Sequence, residues 1–311
     1  MGERVAAVDI GTNTVLLLVA ERRADGEIVA LEERAEITRL GKGVDRTHRL
    51  DEQAVERTLA VLDDYRVRAQ ELGATTIAAV ATSASRDAEN GAEFRERAAR
   101  TLGGAIDVIS GPREAALTFA GALGGLGLDA TSSAAVIDVG GGSTEIAVGR
   151  VDGSCIDWSH SFDVGSVRLT ERCVRGDPPT AGELRDLERE ARASFSSREV
   201  PPCPDGLAVA IAGTATTYAA IDQGLVRYAD APPHGHRMSV DRLRAWVERL
   251  AALPLAERRE VVGLDPRRAD VIVAGGIVLL AAAASLSAET LCVSDRGVRW
   301  GLALELLRAR P

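Results

Sequence analysis

The sequence predicts an α/β protein of two domains, and three observations carry that prediction. The chain has 311 residues, enough for two hydrophobic cores and short for three. Many of its 31 glycines fall in short clusters after apolar runs. One pattern also occurs twice: an apolar strand holding an Asp near its end, a turn rich in glycine and hydroxyl side chains, a second apolar strand, then Asp-Gly. Asp9 and Asp138 open the two copies.

The first copy starts with the apolar run Val5–Ile10, stopped by Gly11-Thr12-Asn13-Thr14, and continues with Val15–Ala20. Asp25-Gly26 is a hairpin signal, and Glu27–Leu40 can supply a third strand. Asp51 is placed to cap a helix whose apolar face is Val55, Leu59, Leu62, Ala69 and Leu72, with Gly73 ending it. Ile77–Val80 reads as a buried strand, Phe94–Leu102 as a helix and Ile106–Ile109 as a strand. Pro112–Leu123 reads as a helix with Pro in its first turn.

Gly121, Gly124, Gly125 and Gly127 mark the boundary, giving domains 1–123 and 124–311, with the terminal helix free to pack back on the first domain. The second copy is strand Ala134–Val139, turn Gly140-Gly141-Gly142-Ser143-Thr144, strand Glu145–Gly149 and hairpin signal Asp152-Gly153. A helix near Ala181–Ser197, a strand at Ala208–Ala212 and a third turn, Gly213-Thr214-Ala215-Thr216-Thr217, come next. Helices over Val240–Ala252, Ala269–Leu286 and Val298–Ala309 and a strand at Leu291–Val293 complete the pattern. Pro201–Pro204 and Ala231–Pro233 read as loops.

Composition excludes several classes. The residues are 46% hydrophobic but only 3% aromatic, so the cores must be built from Ala, Val, Leu and Ile. A net charge of −9 argues against non-specific nucleic-acid binding, and any phosphate must be held by local cations, backbone amides or metal. Lys42 is the only lysine and stands in Leu40-Gly41-Lys42-Gly43-Val44, not in a Gly-Lys-Ser/Thr ending, so a P-loop is excluded. Cys155, Cys173, Cys203 and Cys292 are scattered, which disfavours a zinc site or a disulfide framework. The start of the chain reads as neither a signal peptide nor a membrane span, and the cytoplasm is the default location.

The two duplicated turns carry the chemistry. Each pairs a carboxylate with glycine backbone that can approach a ligand closely and with hydroxyl or amide donors, the set that phosphate needs. A carboxylate beside bound phosphate is repulsive unless a divalent cation lies between them. One such turn is common in hairpins; two in parallel contexts point to two halves acting on one phosphate chain.

With Gly213–Thr217 as a third, these turns look like those of the actin, Hsp70 and sugar-kinase superfamily. Within it the sequence resembles the exopolyphosphatase/guanosine pentaphosphate phosphohydrolase (Ppx/GppA) family. Further matches are Arg39-Leu40-Gly41-Lys42-Gly43-Val44-Asp45, Ala81-Thr82-Ser83-Ala84-Ser85-Arg86-Asp87-Ala88, Ile109-Ser110-Gly111-Pro112-Arg113-Glu114-Ala115, Gly165-Ser166-Val167-Arg168-Leu169-Thr170-Glu171 and Val293-Ser294-Asp295-Arg296-Gly297. They occur in family order along essentially the whole chain.

The resemblance implies two ribonuclease-H-like domains, each with a mixed five-stranded sheet, and an active site in the cleft between them. It implies that Glu114 activates water, a role its place in a helix's first turn does not show by itself, because the macrodipole favours any Glu there. It implies substrate phosphate on Arg86 and on Thr12, Asn13, Thr14, Gly140, Gly141, Gly142, Ser143, Thr144, Gly213 and Thr214. Asp9, Asp138 and Glu145 are the metal candidates, for Mg²⁺ or Mn²⁺. Arg22, Arg39 and Lys42 could widen a cationic path. His234-Gly235-His236 reads as a rim loop. The family usually has Glu-Glu-Ala where this chain has Arg113-Glu114-Ala115, which could help hold phosphate or alter substrate choice.

The implied activity is release of terminal phosphate from short polyphosphate, with guanosine pentaphosphate as the alternative substrate. A superfamily kinase and a non-catalytic alarmone or polyphosphate sensor are the rivals. No nucleic-acid or membrane partner is expected, and a homodimer is an open arrangement. Larger relatives carry extra helical domains, and this chain reads as the short form.

Overall fold

A computed structural model describes residues 2–129, 131–152, 155–203, 206–226 and 233–308. Gly153 of the second hairpin signal, Pro204 of one predicted loop and Ala231–Pro232 of the other lie outside the described residues. In chain order the elements begin β1 (Glu3–Ile10), β2 (Thr14–Arg22), β3 (Ile28–Ile37), α1 (Val44–Thr47), α2 (Glu52–Glu71), β4 (Thr76–Ala81), α3 (Ser83–Asp87), α4 (Gly91–Leu102), β5 (Ile106–Val108) and α5 (Gly111–Ala122). They continue β6 (Ser133–Val139), β7 (Thr144–Arg150), β8 (Ile156–Phe162), α6 (Ser166–Cys173), α7 (Ala181–Ser196), β9 (Leu207–Ile211), α8 (Ala212–Gln223), β10 (Arg237–Ser239), α9 (Val240–Ala251), α10 (Leu255–Arg258), α11 (Ile272–Ser285), β11 (Thr290–Val293) and α12 (Val298–Arg308).

The chain divides into two compact units, one of Met1–Gly121 with Val298–Pro311 and one of Ala122–Gly297. The first holds a five-stranded sheet in the order β3-β2-β1-β4-β5. β2 runs antiparallel to β1, while β4 and β5 run parallel to it. One face is covered by a core that includes Leu62 and Tyr65 of α2 and Phe94 and Ala98 of α4. On the other face Val5, Ala7, Leu18 and Ala20 pack with Leu117 of α5 and with Trp300, Ala303 and Leu307 of α12. Gly301 permits this: a Cβ there would lie 2.0 Å from the Leu117 carbonyl oxygen. The cap predicted for α2 is present, with the Asp51 side chain accepting from the Ala54 amide at 3.0 Å.

The second unit has a mixed sheet in the order β10-β11-β9-β6-β7-β8. It therefore has six strands among the described residues, not five. Two of them are not read from the sequence: β8, and β10, which is three residues paired antiparallel on β11 and too short to show a period. α11 is apolar on nearly every face and lies in the core with α6, α7, α8 and α9. It starts at Ile272, three residues later than the predicted Ala269, because Pro266–Arg268 forms a separate 3-10 turn capped by Asp265. Arg258, 3% exposed, closes the end of α9 by donating to the carbonyls of Leu250, Leu253 and Ala269. Both units have the predicted ribonuclease-H-like α/β class.

Candidate active site

Both sheets put their chemistry at the carboxyl ends of parallel strands, the edge where α/β proteins bind ligands. In the first unit, β1, β4 and β5 end together: Ile10 pairs with Ala81, and Ala81 with Val108. The segments leaving these strand ends are Gly11–Thr14, Thr82–Ser83 and Ser110–Glu114. In the second unit, β6, β9 and β11 end together, Asp138 beside Ile211 and Ala210 beside Val293. Gly140–Ser143, Ala212–Thr214 and Ser294–Arg296 leave the strand ends there.

The two glycine turns are built alike. The Gly11 amide donates to the Thr14 carbonyl at 3.1 Å, and the Gly140 amide to the Ser143 carbonyl at 3.0 Å. Each turn has its carbonyls engaged by a neighbouring segment. Around the first, the amides of Thr38 and Arg39 donate to Asn13 and that of Gly41 donates to Thr12. Around the second, the amides of Ser166, Val167 and Arg168 donate to Gly140 and Gly141, and Arg168 Nε donates to Gly142 at 2.7 Å. A turn whose carbonyls are drawn to one side is oriented to present amides to a ligand on the other. Gly41 and Gly165 allow this packing, since a Cβ would lie 2.3 Å from Thr12 Cγ2 or 2.5 Å from the Gly141 oxygen.

The first unit brings Arg86 and Glu114 together. Ser110 Oγ accepts from the Arg113 amide at 3.4 Å and so caps α5, whose first turn holds Glu114. Glu114 is only 6% exposed. Arg86 at the end of α3 donates to the Ile109 carbonyl at 3.1 Å and stands 3.7 Å from Glu114 Oε2. Its hydrogen bond to Ile109, which precedes the α5 cap, aims the guanidinium at the same strand edge. Thr12 Oγ1 shares a 2.8 Å hydrogen bond with Ser83 Oγ, which fixes the turn against the start of α3. Asp9 lies at the end of β1, opposite Leu16.

In the second unit, Asp138 and Glu145 are directly opposed across the β6–β7 ladder. They are 8% and 2% exposed. Directly opposed residues share a face of the sheet, so two carboxylates sit side by side next to the glycine turn. Ser161 on β8 is opposed to Glu145 and donates to its Oε1 at 2.6 Å. Thr144 donates its hydroxyl proton to the Val164 carbonyl at 2.6 Å, so that proton is committed to the fold. Among the described residues no three His, Cys, Asp or Glu side chains are grouped as a metal cage.

The predicted third turn, Gly213–Thr217, is helical. α8 begins at Ala212, which has a φ of 64°, so the chain kinks at the strand end and enters the helix at once. Gly213 and Thr214 therefore occupy a helix N-terminus. Arg268 lies over it: a Cβ on Gly213 would be 1.9 Å from Arg268 Nη1. Sequence reasoning missed Arg268, Ser161 and Ser83. Ser83 stood in a matched motif without a role, whereas Arg268 and Ser161 become visible only when Gly213 and Glu145 acquire neighbours.

Other residues fall elsewhere. Arg22 is at the far end of the β1–β2 ladder, opposite Glu3 and bonded to it at 3.0 Å. Eight residue pairs along a strand, about 3.3 Å each, separate it from the Gly11 turn, so it does not extend a cationic path there. Arg39 does flank that turn through its amide's bond to Asn13, and Lys42 follows Gly41, whose amide bonds Thr12. His234 bonds Asp295 at 2.9 Å and His236 bonds Asp222 at 2.9 Å, so the two histidines point to separate partners.

A model of the Ppx/GppA phosphatase family matches residues 18–310. The chain belongs to this family. It is 38% identical to Exopolyphosphatase 2 of Mycobacterium tuberculosis over 97% of this chain and 98% of that protein. The crystal structure of the Aquifex aeolicus Ppx/GppA family member is 33% identical, covers 99% of each chain and superposes with a TM-score of 0.81. An exopolyphosphatase structure from Cytophaga hutchinsonii, 23% identical over 99% of each chain, shares the fold with a TM-score of 0.85. The expectation of a hydrolase acting on phosphoanhydride bonds therefore holds for this Ppx/GppA protein. Among the described residues no helix is long and apolar enough to cross a membrane.

Proposed function

We propose that the chain is an exopolyphosphatase that releases terminal orthophosphate from inorganic polyphosphate, short chains foremost. The observation that carries this is the pairing of buried Glu114 with Arg86 at the strand edge where the Gly11 turn opens. The Mycobacterium relative named an exopolyphosphatase supports the substrate.

In this mechanism water attacks the terminal phosphorus and the bridging P–O bond breaks. Glu114 takes the proton that the water loses. Arg86 offers a planar pair of donors to the equatorial oxygens and disperses their charge. The turn amides, with Thr12, Asn13, Thr14, Ser143, Gly213 and Thr214, hold the remaining phosphates, and Thr144 contributes through its backbone. Almost no covalent chemistry is asked of the protein; positioning and charge stabilisation do the work.

Asp138 and Glu145 fit a hard divalent cation, Mg²⁺ or Mn²⁺. Two neighbouring buried carboxylates repel, and Mg²⁺ is typically held by one or two carboxylates together with substrate phosphates and several waters. Asp9 is the matching carboxylate of the first unit. An ion held by Asp138 and Glu145 would supply charge neutralisation for the phosphate chain.

The test is phosphate release from tripolyphosphate, long polyphosphate, guanosine pentaphosphate and ATP, each with and without Mg²⁺. Metal-dependent release fastest from tripolyphosphate supports the proposal. Preference for guanosine pentaphosphate would transfer the function to that substrate, and no release from any would leave a binding protein.

A further inference from the structure

Asp138, Glu145 and Ser161 form one row across three strands. Asp138 is opposed to Glu145 on β6 and β7, and Glu145 is opposed to Ser161 on β7 and β8. Opposed residues lie on the same face, and adjacent strands are about 4.8 Å apart. The row thus reads carboxylate, carboxylate, hydroxyl, with Glu145 in the middle and 2% exposed. The residues that flank Ser161 turn to the other face: Phe162 is buried in the core, edge-on to Phe195 with ring centroids 4.8 Å apart.

The terminal torsion of a glutamate is broad and roughly two-fold, so nothing intrinsic to the side chain decides which oxygen faces which neighbour. Here the Ser161 hydroxyl donates to Oε1 at 2.6 Å. A serine hydroxyl has one proton, and at this distance to a carboxylate the bond is of the strong, charge-assisted kind. It is made from β8, the strand on the side of Glu145 away from Asp138. It therefore selects one rotation of the carboxyl group and holds it from behind.

We infer that Ser161 is a positioning residue for the divalent cation: it fixes the Glu145 carboxylate so that Glu145 and Asp138 can serve one ion. This rests on the assignment of Asp138 and Glu145 to the metal. The chemistry is that of an outer partner that orients a ligand without touching the ion, and removing such partners characteristically weakens metal affinity by about 10–100-fold.

The experiment titrates Mn²⁺ into the intact, substrate-free protein and follows the free ion by its electron paramagnetic resonance signal. Asp138→Asn and Glu145→Gln test the assignment, and Ser161→Ala and Ser161→Thr test the inference. The expected result is that Ser161→Ala weakens Mn²⁺ binding by about tenfold or more, while Ser161→Thr, which keeps a hydroxyl on a β-compatible side chain, stays within about threefold of the parent. If the parent binds Mn²⁺ too weakly to titrate, the same comparison is read from the Mg²⁺ concentration giving half-maximal phosphate release. Parent-like affinity in Ser161→Ala, with Asp138→Asn and Glu145→Gln both weakened, overturns the positioning role and leaves the metal assignment standing. Unchanged affinity in both carboxylate variants overturns the assignment itself. Equal weakening in Ser161→Ala and Ser161→Thr also overturns the inference, because it would trace to local packing and not to the hydroxyl.

Discussion

Arg113 and Glu305 form a two-armed ion pair that ties the first turn of α5 to α12. Nη1 donates to Oε1 at 2.7 Å and Nη2 to Oε2. Arg113 is the residue at which the chain departs from the usual Glu-Glu-Ala, and its charge is spent on a helix of its own unit. Both side chains are more than 40% exposed, so the pair is worth at most about 1 kcal/mol of stability. Arg113→Ala should therefore lower stability by no more than that and leave KM for tripolyphosphate within about twofold, since substrate does not depend on it. Arg113→Glu should cost more by repulsion with Glu305, and Glu305→Arg in the same chain should recover the loss. Denaturant melts of the four proteins with parallel kinetics check this. A large rise in KM for Arg113→Ala would return Arg113 to the substrate.

Glu114→Gln keeps the shape of the side chain but is uncharged and cannot accept the proton of an attacking water. It should lower kcat by about 10²–10⁴ with KM little changed. Arg86→Ala should instead raise KM and lower kcat together, because a guanidinium can meet both the bound phosphate and the charge that develops on it. Near-parental kcat in Glu114→Gln would remove Glu114 from the chemistry.

Much of the fold was legible because its signals are local. Asp51 caps α2 as its place before an apolar helical face predicts. The strand–turn–strand repeats appear as β1–β2 and β6–β7 with matching turn bonds. What failed was whatever depends on neighbours. Gly213–Thr217 looks like a turn because Gly and Thr are poor helix formers, yet Ala212 at φ 64° lets the helix start there under Arg268. β8, with Asp157, Ser159, His160 and Ser161 in its seven residues, is too polar to read as a strand, and it is held there by the ladder to β7. The same limit hid Ser161 and Arg268, since strand pairing and helix packing, not spacing, bring them to Glu145 and Gly213.

The lead into α7 yields a pH prediction. Glu183 accepts from the backbone amides of Thr180, Arg175 and Gly176. These bonds favour its charged form and lower its pKa to about 2, the Thr180 amide being the largest cause. A carboxylate whose folded pKa is depressed adds stability above its unfolded value and loses it as pH falls through the folded one. Glu183→Gln should thus be less stable than the parent at pH 7, and the difference in Tm should shrink between about pH 4.5 and pH 2. A difference that stays constant across that window would mean that the amide bonds do not depend on charge.

Gly213 and Arg268 provide the sharpest test of the second unit. The guanidinium lies where a Cβ on Gly213 would be, at 1.9 Å from Nη1 and 2.4 Å from Cζ. Gly213→Ala therefore cannot coexist with the present position of Arg268. The obstacle is the far end of a flexible side chain, so the guanidinium should swing away and the fold should survive with little loss of stability. If Arg268 works at this helix N-terminus by joining the amides there in binding phosphate, displacing it should cost what deleting it costs. A charge-assisted contact of about 1.5–3 kcal/mol corresponds to a fall of about 10–100-fold in kcat/KM. Gly213→Ala and Arg268→Ala should each show that fall. The double variant should be no worse than either single one, because both remove the same interaction. Multiplying losses in the double variant would show that the two residues act separately, and parental kinetics in Gly213→Ala would show that the position of Arg268 over Gly213 has no part in turnover.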